Sequence, residues 1–191
     1  MFDIDKTIHA AAYLLWKRGG IMPSRELMKL LYLAEREMLL RHGESLTGDK
    51  PFSMKEGPVL SEGMNLFACE KLPKPWNSWI APKANGDLCF RKLDEVNPSF
   101  PEAAFDDLSK AERSVLDDVY ERHGALCKRQ ISDLTQTQKA CPEWHGPHDS
   151  PAPITLKALL TLHGKTEKVA DAIIDHLREV EAMRKAAQAL T

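Results

Sequence analysis

The sequence predicts a mainly α domain with a small β component, an α+β fold in which several helices share one compact core. Three observations carry this. Apolar residues recur at helical spacing in separate stretches along the chain. Each stretch pairs an apolar face with a charged one, so none can be buried alone and all must share a core. Between them lie a short run near 52–55 and an Asn85-Gly86 pair framed by two runs near 78–92. These are the signals of a strand and a β-hairpin.

The first helix spans Asp5 to Arg18, with Ile8, Ala12 and Leu15 on one face, and Gly19-Gly20 stops it. The second starts near Pro23, a residue suited to a first helical turn. Its stripe is Leu27, Leu30, Leu31, Ala34 and Met38, with Lys29, Arg36, Glu37 and Arg41 on the other faces and Gly43 at its end. Phe52 to Lys55 is extended. Gly57-Pro58 breaks it, and Val59 to Cys69 returns to helical spacing. Ser78–Pro82 and Leu88–Lys92 flank the hairpin turn, where Asn85 and Gly86 both tolerate positive φ. Asp94 to Asp107 is acidic and Pro-bearing, a surface connection. Ser109-Lys-Ala-Glu112 is a capping box that opens a helix with Leu116, Val119 and Tyr120 on one face, closed by Gly124. Lys128 to Gln138 is a weaker helix, and Ala140 to Pro153 a loop. Two helices finish the chain, Ile154–His163 and Thr166–Leu190, the latter with Val169, Ile173, Leu177 and Val180 as its buried stripe.

At 191 residues the chain is expected to form one domain over 1–191. A chain of that size buries roughly 70% of its unfolded surface and needs no staples. Its 43% hydrophobic and 28% charged residues mark an ordinary soluble globular protein. A net charge of −2 argues against nucleic-acid binding by bulk electrostatics. No signal peptide and no run approaching the ~20 apolar residues of a membrane span is present. Cys69, Cys89, Cys127 and Cys141 are far apart and form no C-x-x-C pair. A cytoplasmic protein with reduced thiols is expected.

Candidate chemistry is sparse. His42, His123 and His163 each precede a glycine where a helix pattern ends, which suits helix capping better than catalysis. His9 and His176 lie within helices, off the main stripes, and are expected to be partly exposed. Cys141, His145 and His148 have ligand-like spacing for zinc. No second cluster offers a fourth ligand, so no metal or other cofactor is expected. His163-Gly164-Lys165-Thr166 imitates the end of a P-loop, but Leu159 stands where its first glycine belongs, and a helix precedes it rather than a strand. No nucleophile elbow, zinc-protease helix or dinucleotide fingerprint is found. The expectation is therefore a protein without enzymatic activity. Thr47-Gly48-Asp49 is best read as a turn fixed by the aspartate, and Gly57-Pro58 as a shaping element beside the exposed Lys55 and Glu56. Trp76 and Trp79 bracket the hairpin's first strand and serve either core or a partner interface.

One longer pattern is specific. Lys29-Leu30-Leu31-Tyr32-Leu33-Ala34 with Arg36 is followed by Leu46-Thr47-Gly48-Asp49. Then come Met54-Lys55, Gly57-Pro58-Val59, Ser61 and Asn65-Leu66. This ordered set, within Lys29 to Phe67, resembles the central motif of the Panacea domain, a family of bacterial and phage antitoxins. The resemblance implies that Trp144 is a packing anchor tying its loop to the core. It also implies an antitoxin of a toxin–antitoxin system, binding a co-encoded protein toxin directly. Some family members are instead protease adaptors that deliver the toxin to a cytosolic protease. Lys55, Glu56, Trp76 and Trp79 are the candidate partner-binding residues; Leu30, Leu31, Thr47, Gly48, Asp49, Gly57, Pro58 and Trp144 are the structural ones. Two alternatives come from the residues themselves. A DNA-binding autorepressor could use short helices within Lys110 to Gln138. Its ~6–10 phosphate contacts would, however, have only Arg122, Lys128, Arg129 and Lys139 to draw on. A small metalloprotein would be built on Cys141, His145 and His148.

Overall fold

Two buried helices organise the computed structural model, which describes residues 1–68, 74, 76–91, 105–146 and 150–189, the side chain of Trp76 excepted. Helix α1 (Ile4–Lys17) begins at Asp3, whose carboxylate accepts from the Lys6 N–H at 3.1 Å. It is buried without interruption from Thr7 to Leu15. The sequence suggested one buried face. Three consecutive alanines at 10–12 explain the difference, because they let neighbours close in on every side. His9, expected to be partly exposed, is buried for the same reason.

Helix α2 (Ser24–His42) follows Pro23, which caps it in extended conformation rather than occupying its first turn. It ends at Gly43, whose φ of 68° places it in the left-handed region. Leu27, Leu30, Leu31, Ala34 and Met38 face the core. So do Tyr32, Leu33 and Leu39, and with them the charged Lys29, Glu35 and Arg36.

Among the described residues, two three-stranded antiparallel sheets flank these helices. In one, β1 (Ile21–Pro23), β4 (Ile80–Pro82) and β5 (Asp87–Phe90) are ordered β1-β5-β4. In the other, β2 (Pro51–Met54), β3 (Gly57–Leu60) and β6 (Ala152–Pro153) are ordered β3-β2-β6. The β4–β5 hairpin pairs Ile80 with Phe90. Only Gly86 of its turn has positive φ; Asn85 instead accepts the Asp87 N–H through its side chain at 3.1 Å. Ser78 and Trp79, expected in the strand, close the short helix α4 (Trp76–Trp79). Lys92, placed at the hairpin's end, lies outside the described residues.

Val59 and Leu60, expected to be helical, form β3. Gly57 (φ 94°) turns the chain back on β2, pairing Phe52 with Val59. Helix α3 (Ser61–Ala68) starts only after Ser61 donates its backbone N–H to Lys50 at 3.0 Å. Cys69 is outside the described residues, as is most of the connection from Asp94. At its far end Asp106 and Asp107 are exposed, as a surface connection requires, while Phe105 beside them is buried.

Helix α5 (Lys110–His123) carries the capping box of Ser109 and Glu112, and its final Gly124 is right-handed at φ −63°. Helix α6 (Lys128–Thr135) is shorter than its sequence pattern. Helices α7 (Leu156–Leu162) and α8 (Glu167–Gln188) build a second apolar cluster with Leu39, Ile154, Leu159, Leu160 and Ala170. The contact face of α8 is centred on Ala170, Ile173, Ile174 and Leu177, which turns Val169 outward.

Candidate functional site

The polar side chains of α2 define the centre of the molecule. Lys29, Tyr32 and Arg36 are spaced i, i+3, i+7 and so lie along one helix face. That face meets the loop Cys141–Trp144. Tyr32 donates its hydroxyl to Glu143 Oε1. Arg36 Nη1 reaches the same oxygen at 3.1 Å and lies 3.2 Å from Cys141 Sγ, and it also donates to the Ala140 carbonyl at 2.6 Å. His163, at the end of α7, meets Glu143 Oε2 at 2.8 Å. Glu143 is completely buried. Burial works to raise its carboxyl, but hydrogen bonds from His163 and Tyr32 and the charge of Arg36 bring it down to about 2. Burial pushes the Tyr32 phenol well above its ordinary range. It pushes the Cys141 thiol up to about 11 against the pull of Arg36. A thiol so placed is inert, since the thiolate is the nucleophile and metal ligand.

Lys29, one turn before Tyr32 on the same face, donates to the Pro58 carbonyl at 3.0 Å. Burial lowers its ammonium to about 8, opposed by Cys141 and Glu56. A Cβ added at Gly57 would stand 2.9 Å from Lys29 Nζ and 2.7 Å from Thr135 Oγ1. Glycine is therefore required by space as well as by φ.

The Thr47-Gly48-Asp49 turn is locked from two sides. Buried Glu35 accepts from Thr47 N at 2.8 Å and Thr47 Oγ1 at 2.7 Å, and from Ser45. Burial raises the Glu35 carboxyl despite those bonds. Asp49 does more than fix its own turn. It accepts from Glu62 N at 3.0 Å and Gly63 N at 2.8 Å, capping α3 from twelve or more residues away. Trp144 is nearly buried, and its indole N–H donates to the Met54 carbonyl at 2.8 Å, joining loop to β2.

The other candidate residues lie apart. Lys55 and Glu56 are exposed at the β2–β3 turn. Glu56 pairs with Arg25, and the two border a shallow cavity of about 590 Å³ whose far wall is the start of α6. Trp79 packs its ring at 4.6 Å from His9, 6.1 Å from Phe90 and 5.7 Å from Phe105. It therefore stands on the opposite, aromatic side of α1. Trp76 begins α4, but its side chain is outside the described residues. Of the zinc candidates, Cys141 faces Arg36, His145 is exposed, and His148 is outside the described residues. A larger cleft of about 1220 Å³ opens between α8 and β2, bordered by Leu39, Phe52, Ile154, Ile174 and Leu177. Among the described residues no helix is long and apolar enough to cross a membrane.

Glu143 stands in the sequence between the zinc candidates Cys141 and His145, and His163 carries only the signals of a helix cap and of an incomplete P-loop. The hub they form with Tyr32 and Arg36 had one visible signal, the polar stripe 29-32-36 inside an apolar helix.

A family model described as "Antitoxin SocA-like, Panacea domain" matches residues 27–145. The matched span begins within α2 and ends just after Trp144, so it holds the hub apart from His163. No curated protein and no solved structure matches the chain.

Proposed function

The chain belongs to the SocA-like antitoxin family defined by the Panacea domain, and from that premise we propose that it neutralises a co-encoded protein toxin by direct contact in the cytoplasm. The family match is the observation that carries this. The geometry supports binding rather than catalysis as the mode of action. Lys29, Tyr32, Glu35, Arg36, Asp49 and Glu143 are buried and bonded to one another or to backbone. They shape and hold the scaffold, which leaves recognition to the surface.

Nanomolar affinity corresponds to about −12 kcal/mol. Standard interfaces use roughly 20–30 residues a side, so no single loop can supply the contact. The β2–β3 turn offers Lys55 and Glu56 on a rigid base, with Arg25 of α2 and Arg129 and Asp133 of α6 beside the same cavity. These elements form one charged face, and we assign it to the toxin. Co-expression of the chain with the product of its neighbouring gene tests the proposal. Restored growth, with the two proteins co-purifying, supports it. A toxin that disappears in a protease-dependent way while growth recovers would support delivery to a protease instead.

A further inference from the structure

We propose that His9, Asp106 and Asp107 form a divalent metal site that clamps the entry of α5 onto α1. The residues are almost a hundred positions apart in sequence. The fold nevertheless brings one ligand atom from each within 4.8 Å of the others. His9 is held rigidly. Its ring is nine-tenths buried on α1, with Trp79 at 4.6 Å and Phe105 edge-on at 6.4 Å. Its Nδ1 lies 3.2 Å from Asp107 Oδ2, an ion pair only if the ring is protonated, and has no hydrogen-bond partner among the described residues. A buried imidazole nitrogen without a hydrogen-bond partner is costly. Without a proton on the line between them, that nitrogen and a carboxylate oxygen are two electron-rich atoms facing each other. A cation between them removes the repulsion and satisfies the nitrogen.

The donor set is one imidazole nitrogen and two carboxylates. Such a mixed set suits Zn²⁺, which takes both imidazole and carboxylate, and its two carboxylates also admit the harder Mn²⁺. Asp106 and Asp107 are exposed on the outer side, so water can complete the coordination. The consequence is structural. Asp106 and Asp107 sit in the turn between buried Phe105 and the α5 cap Ser109. Tying that turn to α1 fixes Phe105 within the ring cluster of Tyr13, Trp16, Trp79 and Phe90.

The test uses the full chain stripped of metal with a chelator, then titrated calorimetrically with Zn²⁺. One equivalent is expected to bind. The melting temperature should rise by about 5–10 °C at free metal near a hundred times Kd. The Asp106→Asn, Asp107→Asn double variant changes only exposed side chains, so its metal-free melt should match the parent. It should lose affinity by about a hundredfold or more. His9→Gln should lose it as well. Mn²⁺ in place of Zn²⁺ should broaden the Trp79 indole resonance. The proposal is overturned if the parent binds no metal saturably, or if the double variant binds as the parent does. It is also overturned if binding disappears with His145→Ala while the two aspartates are intact.

Discussion

Glu143 is the residue on which most of the polar interior depends. Three side chains converge on its carboxylate, Tyr32 and Arg36 from α2 and His163, the C-cap of α7. Removing its charge leaves Arg36 buried without its counter-ion, a situation that costs about 3–5 kcal/mol. Glu143→Gln should therefore lower the unfolding free energy by that amount in chemical denaturation. The sign of its pH dependence follows from its depressed carboxyl, about 2 against an ordinary 4.5. The native state holds this group ionised where the unfolded chain would protonate it. Its stabilisation is thus complete above about pH 4.5 and is lost as pH falls toward about 2. The shift corresponds to about 3 kcal/mol. Denaturation series between pH 6 and pH 2.5 should show a steep acid limb in the parent and a shallower one in Glu143→Gln. Equal slopes would remove Glu143 from this role. Little of this was legible in the sequence, because the hub joins α2 to residues more than a hundred positions away. Only the 29-32-36 spacing hinted that a polar face looked inward.

The β2–β3 turn shows how far local signals reach at the level of elements. Gly57-Pro58 was read as a break before a helix, but both residues open β3, and the expected helix begins two residues later than Val59, at Ser61. Periodicity cannot separate strand from helix over so few residues. The deciding partners, β2 and the side chain of Asp49, are tertiary. β1 and β6, of three and two residues, carry no pattern of their own and exist only through pairing. The capping box at Ser109, by contrast, is complete within four residues and was readable. Gly57 is required here for two reasons, its φ of 94° and the atoms that a Cβ would meet. Gly57→Ala should cost about 2–4 kcal/mol from backbone strain and overpacking together, measured as a shift in the denaturation midpoint. A variant that melts with the parent would show that the turn is free to rearrange.

At the scale of the whole molecule the family was legible because its motif is a packing motif. Its leucines at 30, 31, 33 and 46 are buried in the core, Gly57 turns the chain into β3 and Asp49 caps α3. The recognition surface was not legible, since exposed side chains carry no spacing that folding enforces. Two variants separate scaffold from surface. Leu31 is fully buried, so Leu31→Ala should cost about 2–5 kcal/mol, much of a domain's ~5–15 kcal/mol. It should lose binding by losing fold. Lys55→Ala, on the exposed turn, should change stability by no more than ~0.5 kcal/mol while weakening toxin capture. Paired thermal melts and pull-downs read both. A Leu31→Ala protein that melts like the parent, or a Lys55→Ala protein that unfolds, would contradict this division. The most direct measurement joins growth to toxin abundance when the chain and its neighbouring gene are expressed together. Neutralisation by contact predicts restored growth, a stable complex of the two proteins, and toxin at its uninhibited level. Toxicity that persists, with no complex recovered and toxin abundance unchanged, would contradict it.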